Sequence, residues 1–476
     1  MKIELKGFFL FFILHSLALT LIAQEKEPLI SGKVTVSIEN GTFECDLTLS
    51  DIPHIRDYVI RLNSGMNILN FRSKEPNDFL LTYYKTDSLS TWESIAYYFP
   101  DNTGKDKFLP KSLQIKYVGK FPVVRDTLDN NYAVQDWKGN IAFNGYSLRT
   151  DGFQTAWYPI LYDVEKDKRY SSVRYDVEVI CEDCNSLYLN GSKPFNGRKT
   201  TFKSNDPRDL TMYLGKYKIS NIGGTYFLNL SIDKEQIKEL GNFTNTYKKY
   251  YESRLGIPYS QEITYINTTP VSKRNAWMFV SYPTIVNIGH GKYGLKEIFD
   301  GEFKNYFRYS MAHELAHFYF GSYKTFNSVL GDMMSEGFSE YLALNLSEDL
   351  IDKEIFQAKL NQKFELLNDF KAIPFAYVKS NTDYIDREAY VYNYAPIIFK
   401  AIENEIGKQK MWQWLRNILQ TQSDFTDYDF LTVTLKRTLK NEKLFNLIKN
   451  KYFQNENSAQ NAINKIKGER IIISIN

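Results

Sequence analysis

The sequence predicts an α+β chain in which a strand-rich first half is followed by a mostly helical second half. Three observations predict it. From about Glu25 to Ser231 apolar and polar residues alternate at period two, the pattern of half-buried strands. Near Asp233 the period lengthens to that of a helix, which then dominates the rest of the chain. Within that helical part, residues 313–317 read His-Glu-Leu-Ala-His, and Glu336 follows after a gap of eighteen residues.

Residues 1–23 read as an export signal. Lys2 and Lys6 give a basic start, Phe8 to Leu14 is an unbroken apolar run, and Ala23 offers a small residue for cleavage. His15, Ser16 and Thr20 interrupt the apolar stretch, which falls short of the roughly 20 residues of a membrane span. The mature chain is therefore expected outside the cytoplasm, periplasmic or extracellular, with no span left after the signal is removed.

Residues 24–232 form the expected β-rich domain. Ser31 to Ile38, Tyr175 to Ile180 and Thr225 to Ile232 alternate, and Asn40-Gly41, Asp151-Gly152 and Asn190-Gly191 punctuate them as turns. Many short strands of this kind predict a β-sandwich-like domain. Residues 233–455 form the second domain. Ile237, Leu240, Phe243, Tyr247, Tyr251 and Leu255 recur at helical spacing, with Asp233 placed to cap the start and Gly256 to end the helix. A strand-rich stretch runs from Ile263 to Gly289. Helices are expected at Phe303–Tyr319, Asp332–Leu346, Lys353–Asn368, Tyr390–Ile406, Met411–Thr421, Asp427–Leu439 and Leu444–Phe453. Residues 456–476 read as a polar tail ending in a strand from Ile471.

Composition narrows the function. A length of 476 residues allows two or three domains. A formal charge of +3, from 59 basic and 56 acidic residues, points to neither nucleic acid nor an acidic surface as partner. The aromatic share of 16% suits strands and a substrate-lined cleft. Of the three cysteines, Cys181 and Cys184 have the spacing of a redox or zinc-ribbon pair, but a second pair is missing. A local disulfide and two free thiols both stay open.

The chemistry lies in the second domain. Two histidines four apart on a helix differ by about 400° of rotation, so His313 and His317 leave one face one turn apart. Both can reach a single ion, and Glu336 from a second helix completes a two-histidine, one-carboxylate set for zinc, with the fourth position left to water. Glu314 leaves the helix roughly 100° around from His313, where it is better placed to take a proton from that water than to bind the metal.

These segments resemble the gluzincin aminopeptidases, the group that includes aminopeptidase N and leukotriene hydrolase. His313 to Gly321 is similar to their helix signature, and Met333-Met-Ser-Glu-Gly-Phe-Ser-Glu-Tyr341 to their second-ligand segment. Tyr392-Asn-Tyr-Ala-Pro396 resembles the opening Tyr-x-Lys-Gly-Ala of a further family helix, in register with Gly407. Tyr251 to Tyr259 and Thr211 to Tyr217 are weaker landmarks. The resemblance implies a thermolysin-like zinc metallopeptidase domain behind the sandwich, and no large C-terminal helical domain is expected. It implies one Zn2+ ion on His313, His317 and Glu336, with Glu314 as general base. Tyr392 would donate its hydroxyl to the oxyanion, Tyr394 being the competing candidate. One departure stands out. The family strand Gly-x-Met-Glu-Asn, whose Glu grips the substrate's α-amine, is matched by Arg274 to Tyr282, which places Asn275 where that Glu belongs; an amide cannot pair an ammonium as a carboxylate does.

The expected activity is therefore zinc-dependent hydrolysis of peptide or protein substrates, aminopeptidase-like with an altered amine anchor. An endopeptidase, or a hydrolase of N-blocked peptides, is the alternative of the same fold. A non-catalytic zinc-containing peptide-binding or scaffold protein is the alternative from another class. The intact Glu314 argues against the last, because a structural site needs no base and usually closes its fourth position.

Overall fold

Period-two alternation builds the first half. The antiparallel strands Thr42–Ser50 and Ser112–Lys120 bury every second side chain, so one face of their sheet meets the core and the other meets water. That sheet has seven strands, ordered Lys199–Asp209, Ser172–Cys181, Leu29–Ser37, Thr42–Ser50, Ser112–Lys120, Met66–Arg72 and Phe79–Leu80. The computed structural model describes residues 27–73, 79–90, 93–99, 111–124, 141–222, 224–229, 232–259, 262–268, 277–288, 298–299 and 304–473. The expected export signal and Asn275 lie outside these residues.

A five-stranded sheet lies under the first. It is ordered Phe195–Asn196, Ser186–Leu189, Met212–Gly215, Ser147–Thr150 and Ala142–Phe143, and several of its strands are buried on both faces. Leu187, Leu189, Met212 and Leu214 join the core shared with the seven-stranded sheet. Tyr188 and Tyr213, at the alternate positions, pack instead with Leu228, Ile266, Phe279 and Val286 of the second half. A further five-stranded sheet contains Tyr58–Asn63, Ser94–Tyr98 and Ile160–Asp163, and Trp157 sits fully buried in the common core. The sandwich-like expectation holds. Cys181 and Cys184 are joined as a disulfide, and Cys45 is a buried free thiol.

The second half is built on a mixed sheet ordered Ile219–Ile222, Thr225–Leu228, Thr264–Thr268, Thr284–Ile288 and Trp277–Ser281. Its first two strands precede residue 232, so this unit begins upstream of the expected junction. Helix α1 (Lys234–Leu255) follows, opened by an Asp233–Gln236 capping box and closed by Gly256 in the left-handed conformation. Then come α2 (Lys304–Ala316), α3 (Gly331–Leu346), α4 (Lys353–Leu366), α5 (Ala395–Ile406), α6 (Lys408–Gln420), α7 (Tyr428–Leu439) and α8 (Glu442–Ile448).

Two expectations are corrected. The stretch read as a polar tail with a final strand is instead a helix, α9 (Ser458–Ile473). Ala459, Ala462, Ile463 and Ile466 give it an apolar face at helical spacing, buried in the core against α5. The small alanines make that face look polar in the sequence. The helix expected at Tyr390–Ile406 is also interrupted: Ala389–Tyr394 forms a wide π turn before α5. Pro396 has no N–H to continue an i→i−4 ladder backwards, and single π turns of this kind are common at functional sites.

Gly337 sets the approach of α3 to α5. A Cβ there would stand 2.8 Å from the Ala395 Cβ, so only glycine permits the contact as it is. Gly337→Ala is expected to destabilise the protein by about 1–3 kcal/mol, the usual penalty for overpacking. Gly241 in α1 has nothing within 4 Å of its missing Cβ, and Gly241→Ala should stabilise by up to about 1 kcal/mol. Urea unfolding midpoints of the two variants should therefore move in opposite directions.

Candidate metal centre

Helix α2 carries His313 near its end, and His317 lies one residue beyond it. The expected helix to Tyr319 stops early because the chain tightens: His317 and Phe318 donate to the carbonyls three residues back, and Ser322, Tyr323 and Lys324 take the carbonyls of residues 317–319. The two imidazoles still meet, with ring centroids 4.7 Å apart and Nε2 atoms 3.0 Å apart. Oε2 of Glu336 on α3 stands 3.3 Å from the first Nε2 and 3.2 Å from the second.

These three atoms make a nearly equilateral triangle. A tetrahedral zinc with ligands at about 2.0–2.1 Å has ligand–ligand edges of about 3.3–3.4 Å, so the triangle matches one face of that tetrahedron. The opposite apex belongs to no protein atom of the set. Among the described residues this is the one cluster of three or more histidine, cysteine or carboxylate ligands that could hold a metal ion.

Each candidate ligand is held from behind, as metal ligands usually are. His313 Nδ1 lies 2.7 Å from Glu340 Oε2; a carboxylate only accepts, so the ring donates there and presents the Nε2 lone pair forwards. Glu340 Oε1 in turn receives the Tyr309 hydroxyl at 2.6 Å and the Lys363 ammonium at 2.5 Å. His317 Nδ1 lies 3.2 Å from the Phe320 carbonyl and 3.1 Å from Ser339 Oγ. Oε1 of Glu336 faces Arg387 at 3.5 Å, and Arg387 is fixed by a two-pronged pair with Asp332 at 2.7 and 2.8 Å.

The electrostatics follow. Burial pushes the His313 imidazolium down, but hydrogen bonds with Glu336 and Glu340 outweigh it and raise its pKa to about 10. A cation on the same lone pair replaces that proton. Burial likewise disfavours the Glu336 and Glu340 carboxylates, yet the histidines, and Lys363 for Glu340, hold both well below the usual carboxylate range. Burial, then the Glu336 charge, raises the Tyr392 hydroxyl, so it stays protonated and able to donate.

The other candidates separate cleanly. Glu314 is half-buried, and its Oε2 accepts from the Val280 N–H at 3.0 Å, on the edge strand Trp277–Ser281. The Tyr392 ring lies 5.8 Å from that of His313. Tyr394 is fully buried, bonded to Ser458 at 2.7 Å and packed on Phe375. Asn275 is not described, and the strand touches the site five residues later, at Val280. No Asp or Glu occurs between Glu262 and Glu297, so no register of this strand brings a carboxylate. Glu340, Tyr309, Lys363 and Arg387 were not read from the sequence. Only Glu340 had a local signal, one helical turn after Glu336 on the same face.

No family model matches the chain, and no curated protein matches it either. Solved structures do. An M1 zinc metallopeptidase from Deinococcus radiodurans, a mutant bound to a Tyr-Ser-Ala substrate, has a TM-score of 0.59 at 15% identity, covering 89% of this chain and 94% of its own. The same organism's M1 zinc metallopeptidase without that mutation gives 0.58 at 13% identity, covering 90% and 94%. Native yeast LTA4 hydrolase gives 0.58 at 14% identity, covering 89% of this chain and 67% of its own. This chain therefore has the fold of the M1 zinc metallopeptidases and of LTA4 hydrolase.

Proposed function

We propose that this protein is an exported zinc metallopeptidase, aminopeptidase-like in chemistry but with an altered hold on the substrate's N-terminus. The observation that carries the proposal is the 3.0–3.3 Å triangle of His313, His317 and Glu336 donor atoms. These residues would hold one zinc ion, which polarises the scissile carbonyl and acidifies the attacking water toward a pKa of about 7. Glu314, steadied by the Val280 N–H, takes the proton of that water and later gives it to the leaving amine. The Tyr392 hydroxyl donates to the carbonyl oxygen as negative charge develops on it. The structural neighbour with a bound Tyr-Ser-Ala substrate supports a peptide as the ligand. Export is supported by the residues of 1–23 and by the Cys181–Cys184 disulfide.

The lack of any carboxylate from Ile263 to Lys296 favours a second reading, hydrolysis within a chain or of N-blocked peptides. On either reading Asn275 would offer the substrate's end an amide in place of a charge. Aminoacyl chromogenic substrates, assayed beside N-acetylated peptides with and without chelator, separate the two. We expect turnover that needs about one zinc per chain and does not fall when the amine is acetylated as it would with a carboxylate anchor. Turnover of the free-amine series alone would defeat the second reading; stoichiometric zinc with no turnover would leave the scaffold.

Two substitutions test the roles. Glu314→Gln should keep zinc and lose roughly 10²–10⁴-fold in kcat; an active variant would remove Glu314 from the chemistry. Tyr392→Phe should lower kcat by about 10²–10³-fold with zinc content unchanged, while Tyr394→Phe should leave kcat within a few-fold. The reverse pattern in kinetic assays would hand the oxyanion role to Tyr394.

A further inference from the structure

Lys363 stands behind the site, on a helix that contributes no ligand. Its side chain is only 6% exposed, and an ammonium buried that deeply persists only when it is paired and hydrogen-bonded. It has two partners of different kinds. One is Glu340 Oε1 at 2.5 Å, the carboxylate that orients His313. The other is the backbone carbonyl of Tyr392 at 2.6 Å.

The second partner has a cause in the sequence. In an α-helix the carbonyl of residue 392 would accept from the N–H of residue 396. Residue 396 is proline and has no N–H to give. Pro396 therefore cannot serve that carbonyl, and Lys363 donates to it from another helix. The same ammonium therefore grips the mount of the metal ligand and the backbone of the tyrosine beside it.

We propose that Lys363 is a positioning residue that sets the spacing between the zinc ligand His313 and the Tyr392 hydroxyl, joining the Glu340 carboxylate and the Tyr392 carbonyl through one buried ammonium. This rests on the zinc-peptidase reading above. Lys363 touches neither substrate nor metal; it acts through the two residues it holds.

The test uses the full chain and Lys363→Met, with four readouts: zinc affinity by chelator competition, the visible absorption of the cobalt-substituted protein, kcat against KM on whichever peptide series the unmodified protein hydrolyses, and the same substitution in a Tyr392→Phe background. Zinc should bind about 10-fold or more weakly, as when other supports of metal ligands are removed, and the cobalt bands should shift. Turnover should fall about 100-fold with KM within about threefold, but only about 10-fold when Tyr392 is already phenylalanine, because coupled residues are not additive. Unchanged zinc affinity and cobalt bands, or an equal fall in kcat in both backgrounds, would overturn the proposal. If Lys363→Met alone does not fold, Lys363→Met with Glu340→Gln removes both charges together and keeps an acceptor for His313. Its kcat should still be reduced and no longer coupled to Tyr392; a kcat restored to the unmodified level would overturn the proposal. An unmodified protein that binds no zinc or cleaves neither series fails the peptidase reading itself, a result seen before any variant is made.

Discussion

The hydrogen bond between His313 Nδ1 and Glu340 is the contact on which the rest of the site depends. At 2.7 Å it fixes which ring nitrogen carries the proton and therefore which lone pair faces forwards. Glu340 sits four residues after Glu336 on α3, so a single helix presents one carboxylate to the two Nε2 atoms and another to the back of the His313 ring. Helices α2 and α3 must then pack in one register, because a slip of a turn would move both carboxylates together. The large apolar cluster around Phe338, which stacks on Phe399 with centroids 4.1 Å apart, holds that register.

The first half of the chain takes part in this alignment. Asn190 donates to Ser281 Oγ and to the Tyr282 carbonyl, both at 3.2 Å, and accepts from Thr284 at 2.6 Å. Tyr188 pairs with Thr284 as well. These contacts grip the turn between the edge strand Trp277–Ser281 and its neighbour Thr284–Ile288. Val280, at the end of that edge strand, gives its N–H to Glu314. The sandwich thus steadies Glu314 through one strand rather than through the helix that carries it. Tyr188 faces away from its own core to make this contact.

Much of this was legible in the sequence, for reasons that differ by element. Helix α1 was readable to the residue because Asp233 and Gly256 are local signals that need no tertiary partner. That His313, His317 and Glu336 would come together was readable because their spacing on helices already encodes a common face. Helix α9 was missed because alanine covers a core as well as leucine does where helices lie close, yet reads as neutral in a periodicity count. The choice between Tyr392 and Tyr394 lay in the turn: two residues apart on a strand they would share a face, on a helix they do not, and the π turn decides which one meets His313. Lys363 and Arg387 carried no signal, since an isolated basic residue ordinarily belongs to a solvated surface.

Pro396 ties the local rule to the site. Proline inside a helical stretch ordinarily breaks it. The break is confined to one widened turn, and at the Tyr392 carbonyl, which Pro396 cannot serve, an ammonium from α4 donates. Gly337 acts in the same direction from the other side, since without a Cβ it lets α3 approach Ala395 next to that turn. Lys363, which donates to Tyr392 beside this proline, also holds the Glu340 carboxylate behind His313. On the proposed role of Lys363, the support of His313 and the placement of Tyr392 are then a single mechanical event.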